Sequence, residues 1–177
     1  MTDAGEAFIA HTRLLLKSDY LPKLERCLEK LSDDEVWWRA DARSNSIGNL
    51  LLHLAGNARQ WIVSGVGSEP DARARQAEFD AHEGLGRAEL LERVRRTIDE
   101  ADAVLARVDA ARLLERRRIQ ECDVSVLEAV FHAVEHFSMH TGQIILITKM
   151  LTQSDLHFYD FSTGVPVQTW HQEAEPE

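Results

Sequence analysis

The chain has 177 residues, 44% of them hydrophobic and 28% charged, a composition that suits one globular domain with room for a buried core. Thirty acidic against twenty basic residues leave a net charge of −10, which opposes unspecific binding to nucleic acid or to an anionic membrane surface. No apolar run approaches a membrane span, and the opening Met1-Thr2-Asp3-Ala4-Gly5-Glu6 has neither the basic nor the apolar region of a secretion signal, so the expected location is the cytoplasm.

The first helix is expected from about Glu6 to Leu31, carried by Phe8, Leu15, Leu16, Leu21, Leu24, Leu28 and Leu31, with Pro22 kinking or splitting it. Ser32-Asp33-Asp34-Glu35 reads as a cap opening a short turn that holds Trp37 and Trp38. The tryptophans are core or dimer-interface anchors in this reading.

A second helix is expected to start near Asn45 or Ser46. Ile47, Leu50, Leu51, Leu54, Ala58, Trp61 and Ile62 trace its apolar face, and Gly65-Val66-Gly67 stops it. His53 falls on the edge of that face, where a side chain can look into a bundle cavity. A polar, arginine-rich connection from Ser68 to Gly86 has the length of a crossover between helices and can itself carry site residues. The third helix runs from about Arg87 to Val108, with Leu90, Leu91, Val94, Ile98, Ala101 and Leu105 inward.

Arg116-Arg117-Arg118 reads as a solvated turn, or as a recognition site for the carboxylates of a peptide-like thiol. Asp123 or Ser125 then caps a fourth helix reaching about Leu151. The tail beyond Thr152 carries Phe158, Tyr159, Phe161 and Trp170, which are expected to pack on the bundle, while the acidic Glu173 to Glu177 should fray. No repeat and no extended strand pattern is present, so the expected architecture is all-α, a four-helix bundle with a long crossover, in a single domain spanning 1–177. Cys27 and Cys122 stand outside any paired-thiol spacing and read as ordinary buried or half-buried thiols.

The fourth helix holds the chemistry. Side chains four residues apart lie on one helical face, so two imidazoles at that spacing can hold one ion. Ala129, Ala133, His136, His140, Ile144 and Ile147 fall in one core-like row, whereas Glu128, His132, Glu135, Met139 and Gln143 form an adjacent, mostly polar row. His136 and His140 are therefore the better ligand pair, and the small Ala129 and Ala133 either leave room for a metal and substrate or simply let helices pack closely. Each ligand imidazole needs an acceptor on its other ring nitrogen, and Glu135, Gln143, Asn49 and Asn57 are the candidates nearest in sequence. Glu135 is also a candidate general base, although a position about 100° from His136 is equally a solvent-facing one.

The stretches Asn45-Ser46-Ile47-Gly48-Asn49-Leu50-Leu51-Leu52-His53-Leu54-Ala55-Gly56-Asn57 and His132-x3-His136-x3-His140-Thr141-Gly142-Gln143 resemble the DinB/YfiT-like superfamily, bacterial helical proteins unrelated to the polymerase that shares the first name. The resemblance covers nearly the whole chain. It implies a four-helix bundle with a long crossover, often homodimeric, that binds a divalent metal through His53, His136 and His140; imidazole donors suit zinc or nickel, and iron also accepts them. His132 then matches a histidine one turn earlier that is not usually a ligand, and Gln143 the glutamine of the family's histidine-glycine-glutamine segment. Characterised relatives include thiol S-transferases using bacillithiol or mycothiol and a mycothiol-dependent maleylpyruvate isomerase.

Three neutral imidazoles leave a divalent ion its charge and an open position, the arrangement of a catalytic site. The expected function is a metal-dependent enzyme of the thiol S-transferase or hydrolase type acting on a small molecule, with a low-molecular-weight thiol as the candidate co-substrate. The alternatives are a non-catalytic metal-binding or stress-associated bundle, and an interaction bundle whose histidines are incidental. The paired Glu-x-x-His motifs of di-iron bundles and the HExxH of zinc proteases are absent from the sequence.

Overall fold

The computed structural model describes residues 3–170 as an all-α bundle of four long helical segments joined by a crossover. The first segment is α1 (Ala4–Leu14), a π-helical turn (Leu15–Tyr20) and α2 (Leu21–Glu29), continuous in direction of chain. The expected break at Pro22 takes this form: proline brings no N–H to the helix ladder, and just before it the Leu21 N–H donates to the carbonyl of Leu16, five residues back. Ser32 and Glu35 then exchange backbone and side-chain hydrogen bonds and open the short helix Glu35–Trp37.

The second segment, α3 (Ile47–Ala58), continues as a π-helical stretch (Arg59–Val66) that Gly67 ends. Every position of its expected apolar face is buried. The crossover contains a six-residue helix, α4 (Arg75–Asp80), which the sequence pattern does not announce, and α5 (Arg87–Leu105) follows. The fourth segment, α6 (Val126–Thr152), starts at Ser125, whose hydroxyl accepts from the Glu128 N–H while Glu128 accepts from the Ser125 N–H. α3 packs against α4, α5 and α6, and α2 against α5 and α6, around a core that includes Leu24, Leu50, Leu54, Ile98, Phe137 and Ile144.

The basic run before α6 is not a turn. Arg116–Ile119 is strand β1, paired antiparallel with β2 (Cys122–Ser125), and Gln120 and Glu121 turn between them with φ of 49° and 64°. Two consecutive positive φ values define a hairpin turn that asparagine and glycine ordinarily announce, and here Gln-Glu fills it. Arg116 pairs with Asp123 and Glu128, Arg117 with Glu115 and Arg118 with Glu121, so the three arginines hold carboxylates of the hairpin and of its two flanks. Cys122 is exposed on this hairpin, in contrast to the buried Cys27.

The tail packs unevenly. Leu156 and Trp170 are buried, with the Trp170 indole N–H donating to the Ser18 carbonyl and Lys23 lying over its ring, whereas Phe161 is 65% exposed. Arg26 fastens this tail by donating to the carbonyls of His157 and Thr169. The short strands β3 (Tyr159–Asp160) and β4 (Val167–Gln168) pair within it. The expectation for Glu173 to Glu177 lies outside the described residues. No helix among the described residues is long and apolar enough to cross a membrane.

Candidate metal centre

Ser46 sets the register of α3: its hydroxyl accepts from the Asn49 N–H, and Asn49 Oδ1 accepts from the Ser46 N–H. That start places His53 inward, 5% exposed, opposite α6. Ser125 does the same for α6, whose buried row of Ala129, Ala133 and His140 brings His136 and His140 to His53.

His53, His136 and His140 form one cluster. Their ring centroids are 4.8 Å (53 to 136), 5.2 Å (53 to 140) and 4.4 Å (136 to 140) apart. One nitrogen from each lies within 4.8 Å of the others, a spacing that could hold a metal ion. Nε2 of both His136 and His140 is buried and has no hydrogen-bond partner among the described residues. Burial, then the neighbouring imidazoles, pushes His136 down to about 3, and burial also lowers His140 against the opposing effect of its bond to Gln143. Both rings are therefore neutral near pH 7, the form with a lone pair to donate.

The outer ring nitrogens are held. Gln143 Oε1 lies 2.6 Å from His140 Nδ1, and Glu78 Oε2 lies 2.8 Å from His53 Nδ1. A carboxylate only accepts, so Nδ1 of His53 carries the proton and Nε2 is left for a ligand. Arg73 Nη2, 3.1 Å from the same Nδ1, cannot donate to a protonated nitrogen; its hydrogens go to Glu78 Oε2 at 2.8 Å, while Arg73 Nε donates to Glu78 Oε1 at 2.7 Å. Burial alone would raise the Glu78 carboxyl, but the bonds from Arg73 and His53 outweigh it and hold the group below its ordinary value. Glu78 and Arg73 come from the crossover, a segment of the length to carry site residues but with no spacing pattern that marks either of them.

The other candidates separate. Asn49 holds no imidazole: its Nδ2 donates to the carbonyls of Glu78 and Ala81 at 2.8 Å each, and its Oδ1 accepts from Arg39 at 2.8 Å. It thus caps the open end of α4 and fixes Glu78 in place. Asn57 Nδ2 sits 3.3 Å from Nε2 of His132, not from one of the three clustered histidines. His132 lies between Trp61 and His136, at centroid distances of 4.0 and 5.5 Å. Glu135 is exposed, on the solvent side of α6, which counts against it as a general base for this cluster.

Gly56 makes the arrangement possible. A Cβ there would stand 2.1 Å from Glu78 Oε1 and 2.9 Å from Arg73 Nε. Gly56→Ala is expected to destabilise the fold by about 1–3 kcal/mol, the usual cost of overpacking, and to weaken metal binding by displacing the pair that orients His53. Chemical denaturation and metal titration of the same variant check both.

Comparison with known proteins agrees with this fold. A family model described as "Protein of unknown function (DUF1572)" matches residues 3–164. A DinB-like protein from Bacillus cereus ATCC 10987 has a similar fold, with a TM-score of 0.59 over 75% of this chain and 85% of that one at 14% identity. No curated protein matches. The chain belongs to the DUF1572 family and shares its fold with a DinB-like protein.

Proposed function

We propose that the chain is a single-domain, cytoplasmic enzyme that depends on a divalent metal held by His53, His136 and His140, of the thiol S-transferase or hydrolase type. One observation carries the metal reading: two buried imidazole nitrogens without a partner among the described residues face a third imidazole. Leaving a buried polar atom unpaired costs roughly 1–3 kcal/mol, and a shared cation relieves both at once. A donor set of imidazoles alone suits zinc, nickel or iron. Such an ion, bound by neutral ligands, keeps its charge to activate a thiol or a water.

The chain's own residues prepare that role. Glu78 and Gln143 fix two imidazoles with Nε2 inward, and burial keeps His136 and His140 deprotonated. Phe79, 4.7 Å from the His53 ring, and Trp61 beside His132 place apolar walls around the cluster. The substrate class we assign is a small electrophile, with a low-molecular-weight thiol as co-substrate. A homodimer belongs to the same proposal: Trp37 donates to the Leu85 carbonyl and packs on Gly48 within the chain, whereas Trp38 is exposed, as are Phe131, Met139, Leu146 and Met150 on α6.

The test is a screen of the metal-loaded protein with bacillithiol, mycothiol and glutathione against an electrophile, and with ester and amide substrates, while sedimentation compares its mass with twice 20.1 kDa. Metal-dependent turnover that His136→Ala abolishes is the expected result. Stoichiometric metal without turnover in any arm would overturn the enzymatic reading and leave a metal-binding bundle.

A further inference from the structure

A cavity of about 340 Å³ lies between α3, the crossover and α5, lined by four arginines, Arg59, Arg73, Arg93 and Arg96, against two carboxylates, Asp71 and Glu78. It shares the Arg73–Glu78 pair with the histidine cluster but contains none of the histidines. Two of the four arginines are already neutralised, Arg73 by Glu78 and Arg59 by Glu100. Arg93 and Arg96 have neither an ion pair nor a hydrogen bond among the described residues. Three residues apart on α5, they share one face of the helix, while Arg95 between them pairs with Glu25 elsewhere.

Arg13, Arg59, Arg73, Arg95, Arg112, Arg116, Arg117 and Arg118 each take a carboxylate, whereas Arg93 and Arg96, like Arg39, Arg43, Arg75, Arg87 and Arg107, form no ion pair among the described residues. Two neighbouring guanidinium groups left without one on the wall of a cavity repel each other and offer their forks to an incoming anion. Leu52, Ala55 and Ala77 add an apolar surface beside them. The volume is at the small end of ligand pockets, which run roughly 300–1,000 Å³.

We propose that this cavity is a binding site for a small organic anion, whose carboxylate or phosphate is held by Arg93 and Arg96 and whose apolar body rests against Leu52, Ala55 and Ala77. The site uses none of the three histidines, and its anion contacts, Arg93 and Arg96, lie outside the Arg73–Glu78 pair that it shares with them.

Calorimetric titration of the full-length protein with phenyl phosphate and with phenylacetate, at constant ionic strength in chloride, tests it. Saturable binding of at least one probe with a dissociation constant in the millimolar range or below is expected, and the stronger probe tells phosphate from carboxylate recognition. Arg93→Ala/Arg96→Ala should weaken it about tenfold or more while helical circular dichroism and metal content stay as in the wild type, both side chains being exposed. Failure of both probes to saturate, or equal affinity in the double variant, would overturn the proposal whatever the metal content proves to be.

Discussion

Alanine in place of His136 is expected to strip the protein of its metal while leaving the fold intact. Purified without a histidine tag, the wild type should carry close to one divalent ion per chain by mass spectrometry, and His136→Ala and His53→Ala should each fall at least about tenfold, since even loss of an outer partner typically weakens metal binding 10–100-fold. A ligand that binds only the native state stabilises it by about 2.7 kcal/mol at a hundred times its dissociation constant. For a chain of this size 1 kcal/mol moves Tm by about 2–4 °C, so zinc at that excess should raise the wild-type Tm by roughly 5–10 °C and leave His136→Ala almost unmoved.

The metal-free proteins provide the control. His136 is held down to about 3 in the fold, against an ordinary 6.5. Between those values the unfolded chain binds the proton and the folded chain does not, so stability is full above about 6.5 and falls as pH drops toward 3. His136→Ala removes that part of the slope. At neutral pH it deletes a buried nitrogen that had no partner, so the metal-free variant should stay within about 1 kcal/mol of the wild type. A wild type that takes up no zinc, nickel or ferrous iron, with Tm unmoved by all three, would overturn the metal assignment.

Much of this centre is legible from the sequence because it obeys helical period. The row of Ala129, Ala133, His136 and His140 follows from spacing alone, and so does the buried face of α3, while the helix starts are narrowed to Asn45 or Ser46 and Asp123 or Ser125, of which Ser46 and Ser125 are the caps. What supports the ring of His53 does not. Glu78 lies 25 residues from His53, on a helix of six residues with no apolar period to announce it. Sequence nearness points instead to Asn49, four residues before His53, but its amide is spent on the carbonyls that end α4. Gly56 reads as an unremarkable helical glycine until the Arg73–Glu78 pair is seen against its backbone. The β1–β2 hairpin escapes for a local reason, a Gln-Glu turn with positive φ at both positions.

Glu78 is the residue through which fold and site are coupled, and its replacement should separate two effects. Its side chain is 11% exposed and that of Arg73 only 5%, so Glu78→Ala leaves a buried guanidinium without its carboxylate, a loss of about 3–5 kcal/mol. Glu78→Gln keeps the shape and an acceptor for the His53 Nδ1 proton but removes the charge, and should weaken metal binding about 10–100-fold. The pH dependence follows from the lowered carboxyl: the wild-type pair contributes fully above the ordinary carboxylate value of 4.5 and is lost as pH falls through the lower value in the fold. Glu78→Gln should lack that acid-side loss. Removing both charges, in Glu78→Gln/Arg73→Met, relieves the stranded guanidinium and should recover much of the stability, because buried pairs replaced together cost far less than one partner alone. Metal affinity should not recover with it, since the carboxylate that fixed the His53 ring is still missing. Denaturation and metal titration across the three variants separate these outcomes, and a Glu78→Gln protein that binds metal as tightly as the wild type would show that the pair serves the fold alone.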